Sequence, residues 1–207
     1  MLVSLSIPIL ANNPIIDLYQ VGGFKFGSFK LKSGLISPFY INLRPIISVP
    51  HLLKGVSHLI AQKASELSYD CICGVPLAAL SLATLVAYEN EKPLVMYRKE
   101  SKDHGIPTSI EGIFNSGDVC IIVEDIITSG ESILGTITAA EKAGLIVHDV
   151  IVFIDRKQGG VEHLMERGYK VHAIYTIDQV LEILHNANFI DQSCMSSTRE
   201  WLANHQT

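Results

Sequence analysis

Ile121-Ile-Val-Glu-Asp-Ile-Ile-Thr-Ser-Gly-Glu-Ser132 is a β-branched run that ends in two adjacent carboxylates and then breaks into a small polar turn holding one glycine. Ile121, Ile122 and Val123 without polar alternation suit a central parallel strand covered on both faces, and Thr136 to Ala143 beyond the turn reads as helix. The order is strand, loop, helix. At such a junction the free N–H groups of the first helical turn, with the Thr128, Ser129 and Ser132 hydroxyls beside them, can hold a phosphate where the helix dipole is positive. Glu124 and Asp125 would repel that phosphate unless they accept hydrogen bonds from sugar hydroxyls or help to hold a hydrated Mg²⁺. The pair is therefore assigned to a ribose, and the ligand is a sugar phosphate. The plainer reading is a strand-to-helix turn capped by Ser or Thr, with both carboxylates merely solvated. A P-loop is excluded because its Gly-Lys-Ser/Thr spacing is absent, and a dinucleotide fingerprint because Gly130 stands without its two companion glycines.

Outward from this segment the chain alternates strand and helix. Leu52, Leu53, Val56, Leu59, Ile60 and Ala64 recur at helical spacing, followed by a predicted strand over 70–75, helix 77–90, strand 93–97, strand 119–124, helix 131–143 and strand 145–154. Helices over 161–167 and 177–185 flank a strand over 169–175. This pattern predicts an α/β fold with a doubly wound, mainly parallel sheet. In such sheets ligands sit at the carboxyl ends of the strands, where Gly74, Arg98, Asp125 and Arg156 all fall. Before the core, a short helix over 14–20 stops at Gly22-Gly23, and strands over 24–31 and 37–43 flank a Lys32-Ser-Gly34 turn, forming a hood or lid. The tail over 189–206 is predicted helical and packs beside the hood. One domain over 1–207 is expected, with a hood of about residues 1–48 plus the tail and a core of about 50–175.

Composition narrows the classes. With 207 residues, 48% of them hydrophobic, the chain can bury one sizeable core. A net charge of −5 without a basic cluster argues against a nucleic-acid surface. No Lys or Arg precedes Lys25, so the basic region of a secretory signal is missing, and the apolar run near 77–87 is too short to span a bilayer. A cytoplasmic protein without a membrane partner is expected. Of the four cysteines, Cys71 and Cys73 share one face of a strand, a poor disulfide geometry and an incomplete zinc site, so they read as small buried hydrophobes.

A second constellation lies between the strands ending near Arg98 and starting near Val119. The connection is longer than usual and opens with Arg98-Lys-Glu-Ser-Lys-Asp-His-Gly105. By itself such a charge run is more often a solvated surface. It starts, however, at the ligand-bearing end of the sheet.

The Ile121–Ser132 run resembles the phosphoribosyl pyrophosphate (PRPP) signature of type I phosphoribosyltransferases. Together with Phe26-Gly-Ser-Phe-Lys-Leu-Lys-Ser-Gly34, Ser37-Pro-Phe-Tyr-Ile-Asn42, the Arg98–Gly105 loop and Asp155-Arg-Lys-Gln-Gly-Gly160, it resembles the orotate phosphoribosyltransferase family from about residue 20 to 186, most closely the transferase half of bifunctional uridine monophosphate synthases. The resemblance implies transfer of ribose 5-phosphate from PRPP to N1 of orotate with Mg²⁺, in UMP biosynthesis. It implies that Lys102 and His104 act on a mobile loop reaching into the neighbouring subunit, hence a homodimer, with Asp125 the third catalytic residue. PRPP would be held by Lys32, Arg98, Lys99, Lys102, His104, Glu124, Asp125, Ile126, Ile127, Thr128, Ser129, Gly130, Glu131 and Ser132. Orotate would meet Tyr40, Ile41, Thr128 and Arg156. Mg²⁺ would arrive with PRPP, with no direct protein ligand, bridged at most by water to Glu124 or Asp125. No decarboxylase domain follows, so a separate orotidine 5′-monophosphate decarboxylase is an expected partner.

One departure stands out. Where many bacterial relatives carry a Tyr-Lys pair, this chain reads Gly74-Val-Pro-Leu-Ala-Ala79, leaving Leu77 and Ala78 as weaker site candidates and shifting pyrophosphate binding onto the loop cations. Pro76 favours a rigid or cis turn there. Arg156 read alone could equally pair with Asp155 or Glu162, and Phe39 and Tyr40 could be core aromatics. Rival functions are a phosphoribosyltransferase for another base, a PRPP-binding regulator without catalysis, and an unrelated sugar-phosphate module. Arg156 and Lys32 count against a neutral base, and a DNA-binding regulator should add a basic helix-turn-helix that is missing here.

Overall fold

In the computed structural model, which describes residues 13–30, 34–98 and 109–205, the β-branched run lies at the centre of a six-stranded sheet. The hood consists of α1 (Pro14–Gln20), β1 (Phe24–Lys30) and β2 (Ile36–Ile41), followed by a 3-10 turn at Arg44–Ser48. The core follows as α2 (Pro50–Ser65), β3 (Cys71–Gly74), α3 (Ala78–Glu89), β4 (Leu94–Tyr97), β5 (Ile110–Glu111), β6 (Val119–Ile127), α4 (Glu131–Lys142), β7 (Ile146–Asp155), α5 (Gly160–Glu166) and β8 (Lys170–Thr176). Helices α6 (Ile177–Asn186) and α7 (Gln192–Ala203) close the chain.

The sheet order is β5-β4-β3-β6-β7-β8, with only the β4–β5 pair antiparallel. Beginning at β3 the chain first moves outward to β4, then returns to lay β6 on the other side of β3. The crossover directions reverse between β3 and β6, which is the topological switch point of a doubly wound sheet. Alternation along β6 serves both faces: Ile121 and Val123 pack with Val56, Ile60 and Leu82 of α2 and α3, while Cys120 and Ile122 pack with Ile133 and Ile137 of α4. A strand covered on both sides needs no polar alternation, which is why the sequence shows none.

Helix starts follow local chemistry. Asn13 Oδ1 accepts the Ile15 N–H at 2.9 Å to begin α1, and Thr176 with Gln179 forms a capping box for α6. β1 and β2 pair antiparallel, Phe24 opposite Ile41 and Phe26 opposite Phe39. α7 packs on β2 as the tail reading expects, with Trp201 Nε1–H donating to the Ile36 carbonyl at 2.8 Å.

Several details differ from the sequence reading. β6 does not end at Glu124 but continues to Ile127, because β7 keeps pairing with it as far as Ile127 opposite Asp155. β2 ends at Ile41 rather than 43, and the two-residue β5 was not foreseen, being too short to carry a period. Around Pro76 the cis peptide is the one between Pro76 and Leu77, after the proline rather than before it. Cys71, Cys73 and Cys120 are buried free thiols, and burial pushes that of Cys73 up to about 12. Among the described residues no helix is long and apolar enough to cross a membrane.

The start of α5 lies directly on the loop after β6. A Cβ on Gly160 would overlap the Thr128 carbonyl oxygen and sit 2.8 Å from Ile127 Cγ1, so only glycine fits. Gly160→Ala is expected to cost about 1–3 kcal/mol through overpacking and to shift the urea midpoint down. An unchanged midpoint would show that the contact is not tight in solution.

Candidate active site

A crevice of about 870 Å³ opens at the carboxyl ends of β3, β4 and β6. The hood contributes Tyr40, Ile41, Asn42, Leu43 and Arg44, and the end of β4 contributes Met96, Tyr97 and Arg98. From the β3 side come Pro76, Leu77, Ala78 and Leu80, and from the β6 side Glu124, Asp125, Ile126 and Ser132. Glu111 of β5 completes the lining. The crevice therefore straddles the switch point between β3 and β6.

Two helices begin in this crevice, and among the described residues no side chain caps either one. α4 starts after Gly130, in the left-handed region at φ +82°, and its N-cap makes no side-chain hydrogen bond. The capped-turn alternative for Thr128, Ser129 and Ser132 is thereby removed. α3 starts after Leu77, again without a side-chain cap. Uncapped N-terminal amides with positive helix dipoles behind them favour anions. The two starts belong to neighbouring strands, so one ligand carrying two anionic groups can span them.

Between these starts lie the paired carboxylates. Glu124 is only 7% exposed, and its Oε1 accepts the Asp125 N–H at 3.0 Å. Burial first, then the neighbouring Asp125 charge, pushes the Glu124 carboxyl from its ordinary 4.5 up to about 10. Burial thus favours the protonated form of Glu124. A cation or a set of hydroxyl donors would reverse that preference. Among the described residues no group of three or more His, Cys, Asp or Glu side chains could hold a metal.

Arg98 stands at the base of the long loop. Its N–H donates to the Ser109 carbonyl at 2.8 Å, closing the β4–β5 ribbon, and its Nη1 lies 3.5 Å from Glu111 Oε1. Both side chains are well exposed, so this pair is weak and easily exchanged for a better anion.

Arg156 follows β7 in a tight turn in which the Lys157 N–H donates to Asp155 Oδ1 at 2.7 Å. Its guanidinium lies 5.1 Å from the centroid of the buried Phe39 ring, and its Nε is buried without a hydrogen-bond partner. Burial lowers its pKa. No ion pair to Asp155 or Glu162 forms. A buried, unpartnered Nε–H is costly, and a ligand carboxylate would relieve it.

Of the predicted site residues, Tyr40, Ile41, Arg98, Glu124, Asp125, Ile126 and Ser132 meet in the crevice, as do Leu77 and Ala78. Leu77 is 84% exposed at its edge. Ile127, at the end of β6, and Thr128 and Gly130 of the following loop lie behind the lining, braced by Gly160. Ser129 and Glu131 line a separate hollow of about 350 Å³ with His163, whose Nδ1 is 3.2 Å from the Ser129 carbonyl oxygen. Arg156 stacks on Phe39 rather than lining the crevice. Lys32, Lys99, Lys102 and His104 lie outside the described residues. Sequence reasoning missed Asn42, Arg44, Met96, Tyr97 and Glu111. Arg44 had a usable signal, as the one cation between Ile41 and Val49.

The phosphoribosyl transferase domain family matches residues 46–173. The uridine 5′-monophosphate synthase of Bos taurus is 43% identical over 93% of this chain, which spans about two fifths of that protein's length (41%). An orotate phosphoribosyltransferase of Caenorhabditis elegans is 40% identical, with 87% of this chain and 81% of that protein covered. The crystal structure of orotate phosphoribosyltransferase from Aeropyrum pernix superposes with a TM-score of 0.73 at 28% identity, covering 82% of this chain and 97% of the other.

A group whose folded-state pKa is raised contributes stability that is complete below its unfolded value and fades as pH climbs toward the folded value. For Glu124 that window runs from 4.5 to about 10. Glu124→Gln is expected to melt close to the unsubstituted protein near pH 5 and roughly 5 °C or more above it by pH 9, both without ligand. A melting difference independent of pH would contradict the buried proton.

Proposed function

Because the chain belongs to the orotate phosphoribosyltransferase family, we propose that it transfers ribose 5-phosphate from PRPP to N1 of orotate, giving orotidine 5′-monophosphate and pyrophosphate. The observation that carries this reading is the pair of uncapped helix starts flanking Glu124 and Asp125, which matches a ligand with a phosphate at each end of a ribose. The 5′-phosphate goes to the α4 loop, through the amides and hydroxyls of Ile127, Thr128, Ser129, Gly130, Glu131 and Ser132. The ribose hydroxyls go to Glu124 and Asp125, with Ile126 beside them. Pyrophosphate goes to the α3 start at Leu77 and Ala78, with Arg98 and Lys99 at the base of the loop and Lys32 between the base and PRPP.

Chemistry follows from placement. As the C1–O bond breaks, its electron pair leaves with pyrophosphate and C1 gains oxocarbenium character, while the N1 lone pair closes from the opposite face and the N1 proton passes to solvent. Asp125 steadies the ribose as charge develops. Lys102 neutralises the departing group and His104 donates to it, so the protein acts mainly by positioning and by charge stabilisation. Mg²⁺, when bound with PRPP, supplies further neutralisation of the pyrophosphate. Arg156 offers its unused donor to the orotate carboxylate, and Tyr40, Ile41 and Thr128 hold the ring. Loop closure keeps water from the ribosyl cation. We further propose a homodimer, since the loop acts in the partner's site, a cytoplasmic location, and a decarboxylating enzyme as the next step for the product. Hood, core and α7 work as one catalytic domain.

Orotate absorbance is expected to fall when the protein meets orotate, PRPP and Mg²⁺, while uracil, adenine and hypoxanthine yield no nucleotide on product chromatography. PRPP bound without conversion of any base would point to a regulator instead. Lys102→Ala is expected to lower kcat by on the order of 10²-fold or more with a much smaller change in PRPP affinity, and an unchanged kcat would refute its role.

A further inference from the structure

The chain has a single tryptophan, and it sits at the end of α7, outside every residue assigned to the crevice. Its contacts are directed. The Trp201 ring meets Phe39 edge to face, with centroids 5.7 Å apart at 85°, and stacks flat on His205 at 4.2 Å and 9°. His205 Nδ1 is 2.7 Å from the Trp201 carbonyl oxygen, which locks the stack in place. The His205 carbonyl accepts a hydrogen bond from Gln158 Nε2 at 2.9 Å. Gln158 lies two residues beyond Arg156 on the same turn, and the Arg156 guanidinium rests over Phe39. These contacts form a closed circuit: Arg156, Phe39, Trp201, His205, Gln158 and back through the chain to Arg156. An ordinary core filler would be packed on all sides, but Trp201 borders an open hollow of about 410 Å³ between the hood and α7.

We propose that Trp201 is a positioning residue for the base substrate. It fixes the Phe39 ring that supports Arg156, while His205 and Gln158 tether the Arg156 turn from its other side. The proposal rests on the orotate reading. Phe39 also precedes Tyr40 on β2, so the same contact sets the hood strand that lines the crevice. PRPP binding, built on the α3 and α4 starts, does not depend on this circuit.

The test compares KM for orotate and for PRPP in the full chain and three variants, Trp201→Leu, Trp201→Phe and His205→Ala. Losing the aromatic support at Trp201→Leu is expected to raise the orotate KM by on the order of tenfold while the PRPP KM moves less than about twofold. Trp201→Phe keeps an aromatic edge on Phe39 and is expected to recover most of the loss. His205→Ala, near the chain end and outside the core, is expected to raise the orotate KM about threefold, and it decides the matter if Trp201→Leu does not fold. An orotate KM unchanged in His205→Ala and in the folded Trp201 variants, or KM values for both substrates rising together, overturns the proposal while leaving the orotate reading intact. An unsubstituted protein that converts no orotate overturns the reading and this proposal with it.

Discussion

The reversal of strand order between β3 and β6 is the constraint on which everything else depends. Parallel neighbours whose crossovers run in opposite directions cannot have their following loops packed against each other, so the sheet opens there. Both loops lead into helices, and both helices begin without a side-chain cap. The crevice is thus lined by the orphan amides of α3 and α4, and among the described residues its preference for anions comes largely from the backbone. An acidic chain of net charge −5 can therefore offer a phosphate site.

The carboxylates between those helix starts make the site selective for more than charge. Glu124 follows five apolar residues of β6 and precedes Asp125, and burial with the Asp125 charge beside it favours its protonated form. The protein carries a group poorly suited to its surroundings until hydroxyl donors or a divalent ion arrive. Arg156 shows the same pattern with opposite charge: a half-buried guanidinium whose Nε is buried without a partner, resting on an aromatic face.

Much of this was legible in the chain. The β-branched run of β6 announced a strand buried on both faces, and the alternation from Leu52 to Tyr175 gave the doubly wound fold, because apolar periodicity is dictated by packing geometry. The Glu124-Asp125 pair and the turn after it marked the crevice. What escaped notice depended on long-range pairing. The continuation of β6 to Ile127 is set by the β7 ladder, and β5 exists only because two residues return beside β4. Glu111 reached the crevice through that unrecognised strand, and Arg44 through a 3-10 turn with no periodic signal. The link from Trp201 through Phe39 to Arg156 joins segments far apart in sequence, which no local pattern can reveal.

Leu77 and Ala78 offer the pyrophosphate end of the crevice only backbone amides, so its binding there leans on the cations of the loop that begins at Arg98. The most direct measurement is a crystal structure of the protein with PRPP and Mg²⁺. The account predicts the 5′-phosphate on the amides after Gly130, the ribose hydroxyls on Glu124 and Asp125, and pyrophosphate at the start of α3. PRPP lying across the Ser129–His163 hollow, or with its phosphates away from both helix starts, would contradict it.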